Sequence, residues 1–233
     1  LKIKPDDYDA VERLANLFFK KGKFDQAVKF YEKLAKKYPR NAAIFSNLGF
    51  AYGELKNYAA SAENYKKALK LGADNANLHY NLAYTYGKLG KEKEAMTEYE
   101  KVSPPTKEVL SLLAQYYLKE KKYDQAIKYY KKIVALEPKK AASYSSLGYA
   151  YALRSDWNRA IDNYLIALKY DREDDELYAN LGEAYEKKGL YREALNAYTS
   201  AHELNPESAK ATRRIPKLKI LLLQQKLQKT DKE

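Results

Sequence analysis

The sequence predicts an all-α chain of repeated helical hairpins, and three observations carry that prediction. The residue vocabulary is helical, chain breakers are few, and a pattern of small and apolar residues returns about every 34 residues.

Ala, Leu, Lys, Glu and Tyr dominate the 233 residues, with nine Gly, seven Pro, one Met, one Trp, two His and no Cys. That vocabulary favours helix over sheet. The 24 Tyr are far more than a core of ordinary composition needs. The lack of Cys excludes disulfides, thiolate metal sites and a cysteine nucleophile. The aliphatic run Ile220–Leu223 falls far short of the roughly 20 apolar residues of a membrane-spanning helix. A soluble chain is therefore expected, with the compartment open between cytosol and bacterial periplasm. The first residue is Leu1, not Met, which leaves room for a leader ahead of it.

The repeat is visible directly. Lys23-Phe24-Asp25-Gln26-Ala27-Val28-Lys29-Phe30-Tyr31 returns as Lys122-Tyr123-Asp124-Gln125-Ala126-Ile127-Lys128-Tyr129-Tyr130. Units start at Tyr8, Ala42 and Ala76, and after a shortening of three residues at Lys107, Ala141 and Asp175. The seventh position is Leu14, Leu48, Leu82, Leu113, Leu147 and Leu181; the eighth is Ala15, Gly49, Ala83, Ala114, Gly148 and Gly182. The eleventh is aromatic throughout (Phe18, Tyr52, Tyr86, Tyr117, Tyr151, Tyr185). The twentieth is small (Ala27, Ser61, Ala95, Ala126, Ala160, Ala194), and the twenty-fourth is Tyr31, Tyr65, Tyr99, Tyr130, Tyr164 and Tyr198. Positions 4, 7, 8 and 11 lie on one face of a first helix, and 20, 24 and 27 on one face of a second. Small residues at 8 and 20 let the two helices approach, and the tyrosines fill the space beside them. Gly22, Gly90 and Gly189 fall at the turn between helices, where positive φ suits glycine.

Five filled columns in six units resemble the tetratricopeptide repeat (TPR) over residues 8–208. The resemblance implies an all-α, right-handed superhelical TPR solenoid of antiparallel helix pairs. The expected division is an N-terminal extension (1–7), six units (8–41, 42–75, 76–106, 107–140, 141–174, 175–208) and a C-terminal capping helix and tail (209–233). In the third unit Pro104 and Pro105 are expected to end the helix early, with Thr106 capping the next.

In such proteins the first helix of each unit lines a concave face with positions 2, 5, 6, 9, 12 and 13. Carried over, positions 6 and 9 give Asn16, Asn47, Phe50, Asn81, Tyr84, Gln115, Tyr149, Asn180 and Glu183 as expected peptide contacts. Asn offers a donor and an acceptor to a peptide backbone, and the aromatics offer flat apolar area. An equally open role for the asparagines is to satisfy neighbouring groups within the array. Members of the family that grip a C-terminal carboxylate use three cations at set columns. Units one to three here give Glu12, Asn16, Asn47, Asn77 and Asn81, with no cation, so that chemistry is not expected.

The formal net charge of +12 raises nucleic acid as a ligand. Over the six groove columns, however, Arg13, Lys20, Lys88, Lys119 and Lys187 face Asp9, Glu12, Glu54, Glu108, Glu176, Glu183 and Glu186, a balance of −2. Nucleic acid in the groove is disfavoured, because binding rests on neutralising phosphates. The surplus lies on second-helix surfaces and in residues 209–233, which hold eight Lys or Arg against two acids. The acids from Asp171 to Glu186 point either to a partner with basic segments or to helix capping, which covers Asp174 to Glu176 but not Glu183 or Glu186. In the tail, Ala211, Ile215, Leu218 and Leu222 form one apolar face that can cover the sixth unit. Ile220, Leu223 and Leu227 form a second, read as a self-association or partner surface.

His79 and His202 lie in different units and cannot share a metal. With no phosphate loop or nucleophile elbow, neither catalysis nor a cofactor is expected. The leading expectation is a protein-interaction scaffold that holds a partner peptide in its groove. The alternatives are a module that self-assembles through its C-terminal helix and, more weakly, an anionic-surface or nucleic-acid binder acting through lysines and tail.

Overall fold

The computed structural model describes residues 7–230. Residues 1–6 and 231–233, which belong to the expected N-terminal extension and tail, lie outside the described residues. Thirteen α-helices and no strand occur among the described residues. They are α1 (Tyr8–Lys20), α2 (Phe24–Lys37), α3 (Ala42–Glu54), α4 (Tyr58–Lys70), α5 (Ala76–Lys88), α6 (Glu92–Tyr99) and α7 (Lys107–Lys119). There follow α8 (Tyr123–Leu136), α9 (Ala141–Leu153), α10 (Trp157–Tyr170), α11 (Asp175–Lys187), α12 (Tyr191–Leu204) and α13 (Ala209–Thr230). The chain divides into two compact units between Val109 and Leu110, inside α7.

Local chemistry sets the helix ends. Side chains of Asp7, Asn41, Asn57, Asn75, Asp156 and Asp174 accept from backbone N–H groups in the first turns of α1, α3, α4, α5, α10 and α11. Such caps satisfy donors that a helix start leaves unpaired. Thr106 Oγ1 accepts from Val109 N at 3.3 Å and caps α7 as expected. The helix before it, α6, has only eight residues and ends at Tyr99.

Each turn from a first to a second helix closes on one left-handed residue. Gly22, Gly90 and Gly189 have φ of 69°, 72° and 75°, as the sequence suggests. The same turn position is filled by Lys56, Lys121 and Ser155, with φ of 59°, 57° and 62°. These three carry a Cβ into a region that disfavours it. The backbone compensates with the same bonds, for example Lys56 N to Gly53 O at 2.9 Å and Asn57 N to Tyr52 O at 2.9 Å.

In the first unit, α1 to α5 bury one continuous core that includes Val11, Ala15, Tyr31, Leu48, Tyr65 and Leu82. In the second unit, the end of the array packs Ala179, Ala194, Tyr198 and Ala201 with Ala211 and Leu218 of α13. All six residues of the twentieth position and all six tyrosines of the twenty-fourth are buried, so a quarter of the tyrosines is core by design of the repeat. The small residue at the eighth position is what admits them. A Cβ on Gly49 would meet Tyr65 Cδ1 at 2.6 Å, and one on Gly148 would meet Tyr164 Cδ1 at 2.8 Å.

Candidate functional site

The buried tyrosines also organise the candidate surface. In the first unit the Tyr31 hydroxyl donates to Asn16 Oδ1 at 2.7 Å and accepts from Asn47 Nδ2 at 3.1 Å. One hydroxyl from α2 thereby ties the candidate residues of α1 and α3 together. The next tyrosine is placed similarly: the Tyr65 ring lies against Gly49 of α3, and the Asn81 side chain of α5 acts on its hydroxyl. Burial raises the hydroxyl pKa of Tyr31, and hydrogen bonding from Asn47 holds part of that rise back. Tyr65 is raised for the same first reason, with Glu54 adding to it and Asn81 opposing it. Asn16 and Asn47 are held by Tyr31, and the side chains of Asn16, Asn47 and Asn81 are each half-buried.

The expected aromatics of this unit are exposed, but not equally free. Phe50 packs against Phe19 and Phe24, with ring centroids 5.2 Å and 5.9 Å away. Tyr84 stands further out, with the Lys88 ammonium 5.1 Å from its ring centre. Two further aromatics occupy other groove columns, positions 5 and 12. Tyr80, at position 5, is exposed and packs edge-on to Tyr99 at 5.6 Å. Phe19, at position 12, braces Phe50. Their signal in the sequence was aromatic residues in groove columns other than the two chosen. Gly87, also at position 12, has no atom within 4 Å of where a Cβ would stand, so open space adjoins Tyr84 on α5.

In the second unit Gln115 of α7 and Tyr149 of α9 are exposed. Asn180 and Glu183 of α11 are already engaged: Lys210 Nζ of α13 donates to Asn180 Oδ1 at 3.0 Å and to Glu183 Oε2 at 2.7 Å. Arg214 Nε donates to Glu186 Oε2 at 2.8 Å, and its Nη2 also contacts the Glu186 carboxylate. Tyr198 bonds the same carboxylate at 3.4 Å. Asp174 does cap α11, accepting from Leu177 N at 2.9 Å, but Glu183 and Glu186 hold α13. The sequence carried this signal in its spacing, since Ala209 lies 34 residues beyond Asp175 and the columns continue through Lys210 and Arg214.

His79 is buried, with Nδ1 2.6 Å from Glu98 Oε2 and Nε2 2.7 Å from Asp74 Oδ1, and so it ties α5 to α6. Glu98 also pairs with Lys101 at 2.8 Å. Among the described residues no group of three or more His, Cys, Asp or Glu is arranged to hold a metal ion. Among the described residues no helix is long and apolar enough to cross a membrane either. Ile220, Leu223 and Leu227 of α13 are exposed.

Sequence profiles described as TPR repeat match residues 15–56, 54–90 and 150–189. Profiles described as tetratricopeptide repeat match residues 107–140 and 176–208. No curated protein matches the chain. Among solved structures it is similar to YrrB, described as a TPR protein with an unusual peptide-binding site, at 19% identity and a TM-score of 0.62, over 79% of this chain and 96% of that one. It is similar to MamA AMB-1 at 21% identity and a TM-score of 0.57, over 72% and 93%. It is also similar to the C-terminal part of a TPR repeat-containing protein from Cytophaga hutchinsonii, at 18% and 0.56, over 85% and 81%. At these identities the likeness is one of fold.

Proposed function

The chain belongs to the tetratricopeptide repeat family, and from that premise we propose that it is a protein-interaction scaffold that holds an extended peptide. The observation that carries the reading is the relay Asn16–Tyr31–Asn47 beside exposed aromatic rings. A peptide backbone needs donors and acceptors at fixed spacing, and amides anchored by a buried hydroxyl supply them without being frozen anew on binding. Phe50, Tyr80 and Tyr84 offer apolar area for the peptide's side chains. Peptide binding named for YrrB supports the reading by analogy of fold.

The six units 8–41 to 175–208 belong to the same proposal, with α13 as a seventh first helix. Asn16, Asn47, Asn81, Phe50 and Tyr84 are the contacts in the first unit, and Gln115 and Tyr149 those in the second. Asn180 and Glu183 contribute by fixing α13 through Lys210, which turns the preference away from basic segments at that end. The reading assigns no catalytic residue.

The test is a peptide array probed with the full chain and with Asn47→Ala/Asn81→Ala/Tyr84→Ala. The unsubstituted chain should mark a subset of peptides, and the triple variant should lose at least about tenfold in affinity for them. Equal marking by both chains would overturn the assignment.

A further inference from the structure

Helix α13 carries two apolar faces, and the hairpin before it covers one. Ala211 and Leu218 are buried, and Ile215 packs beside them, in the core built with α11 and α12. At 3.6 residues per turn, Ile220, Leu223 and Leu227 fall on the opposite side of the helix. They are 58%, 62% and 64% exposed. Lys217 borders this strip on one edge and Lys219 and Lys226 on the other, and the whole of 209–230 contains no Asp or Glu. Lys210 and Arg214 are spent on Glu183 and Glu186. Arg213, Lys217 and Lys219 have no ion pair among the described residues.

A second observation adjoins the strip. An open groove of about 1050 Å³ runs between the start of α12 and α13, lined by Leu190, Leu195, Leu222 and Leu223 together with Arg192, Lys219 and Lys226 and the single acid Glu193. Leucines interleaved with an excess of cations, beside an apolar strip with cationic borders, complement molecules that join a hydrocarbon part to an anionic head.

We infer that α13 docks the chain onto an anionic lipid surface, with Ile220 and Leu223 entering the boundary between headgroups and acyl chains. The lysine stems lie along the apolar strip and carry their ammonium groups back to the phosphates. Charge separates this occupant from the others. A second copy docking helix to helix would set two acid-free cationic helices face to face. A nucleic acid would use the cations and leave the strip in water. The inference does not depend on peptide binding, since it uses none of the candidate residues on α1 to α11.

The experiment is cosedimentation of the full chain with vesicles of phosphatidylcholine alone and of phosphatidylcholine mixed equally with phosphatidylserine. At low salt, binding to the anionic vesicles should be at least about tenfold stronger. Ile220→Ser/Leu223→Ser and Lys217→Gln/Lys219→Gln should each cut it about tenfold while leaving helicity and melting temperature unchanged. Equal partition onto the two vesicle types would overturn the inference, as would full binding by the Ile220→Ser/Leu223→Ser chain. So would a solution mass that halves on that substitution, which would give the strip to a second copy.

Discussion

A Cβ placed on Gly49 would stand 2.6 Å from Cδ1 of Tyr65, so the glycine of α3 and the tyrosine of α4 are cut to fit each other. Tyr65 is buried and cannot swing aside without uncovering the core. Gly49→Ala should therefore destabilise by about 1–3 kcal/mol in spite of alanine's better helix propensity. Urea unfolding of the single variant measures it.

Gly87 should respond in the opposite sense. It lies within α5, and nothing stands within 4 Å of its missing Cβ. Gly87→Ala should raise stability by about 0.5–1 kcal/mol. A thermal melt showing a loss would mean that the space is needed by the fold itself.

Three hairpin turns hold a residue with a Cβ at positive φ. Lys56→Gly, Lys121→Gly and Ser155→Gly should each stabilise by up to about 1 kcal/mol, because the left-handed penalty exceeds glycine's extra chain entropy.

Arg214→Ala should loosen α13. The side chain is about a third exposed and Glu186 about a fifth, so solvent screening limits the loss to roughly 1 kcal/mol. Hydrogen exchange should quicken in 209–222 before it changes in α9 or α10. Glu186→Gln should produce the same pattern, and the double variant should add little to either, since both break one interaction.

Alkali should unfold the chain through its core tyrosines. Burial raises Tyr31, Tyr65, Tyr130, Tyr164 and Tyr198, and pushes Tyr99 up to about 12. In the native state these hydroxyls keep their protons at pH values where the unfolded chain has released them. Their contribution is therefore complete below the unfolded pKa of about 10 and is lost as pH climbs from there toward the folded values. Melting temperature should hold to about pH 10 and then fall, and phenolate absorbance should lag behind that of free tyrosine until unfolding.

The hairpins were legible in the sequence because burial in a repeat is periodic. Leu48, Ala95 and Tyr164 announce their places by spacing alone, and each is buried where its column puts it. Three of the turns were less legible. Glycine marks a left-handed residue, whereas Lys56, Lys121 and Ser155 give no sign of one, and only the register of the neighbouring turns picks them out. The candidate surface was legible in residue type but not in connection. Asn16 and Asn47 could be named, yet their link through Tyr31 depends on three helices meeting at one point. Glu183 and Glu186 read as acids available to a partner, because their cations lie 27 and 28 residues away on a helix that the repeat count had not included.

The Tyr31 relay also bears on how such a protein diverges. On the proposed reading Asn47 answers to two masters, the tyrosine behind it and a peptide in front, so drift there carries a folding penalty. Tyr80 and Tyr84 stand outside the relay and can change while the hairpins stay intact. New binding habits would then be written at Tyr80 and Tyr84, beside an Asn47 that selection on folding alone would keep in place.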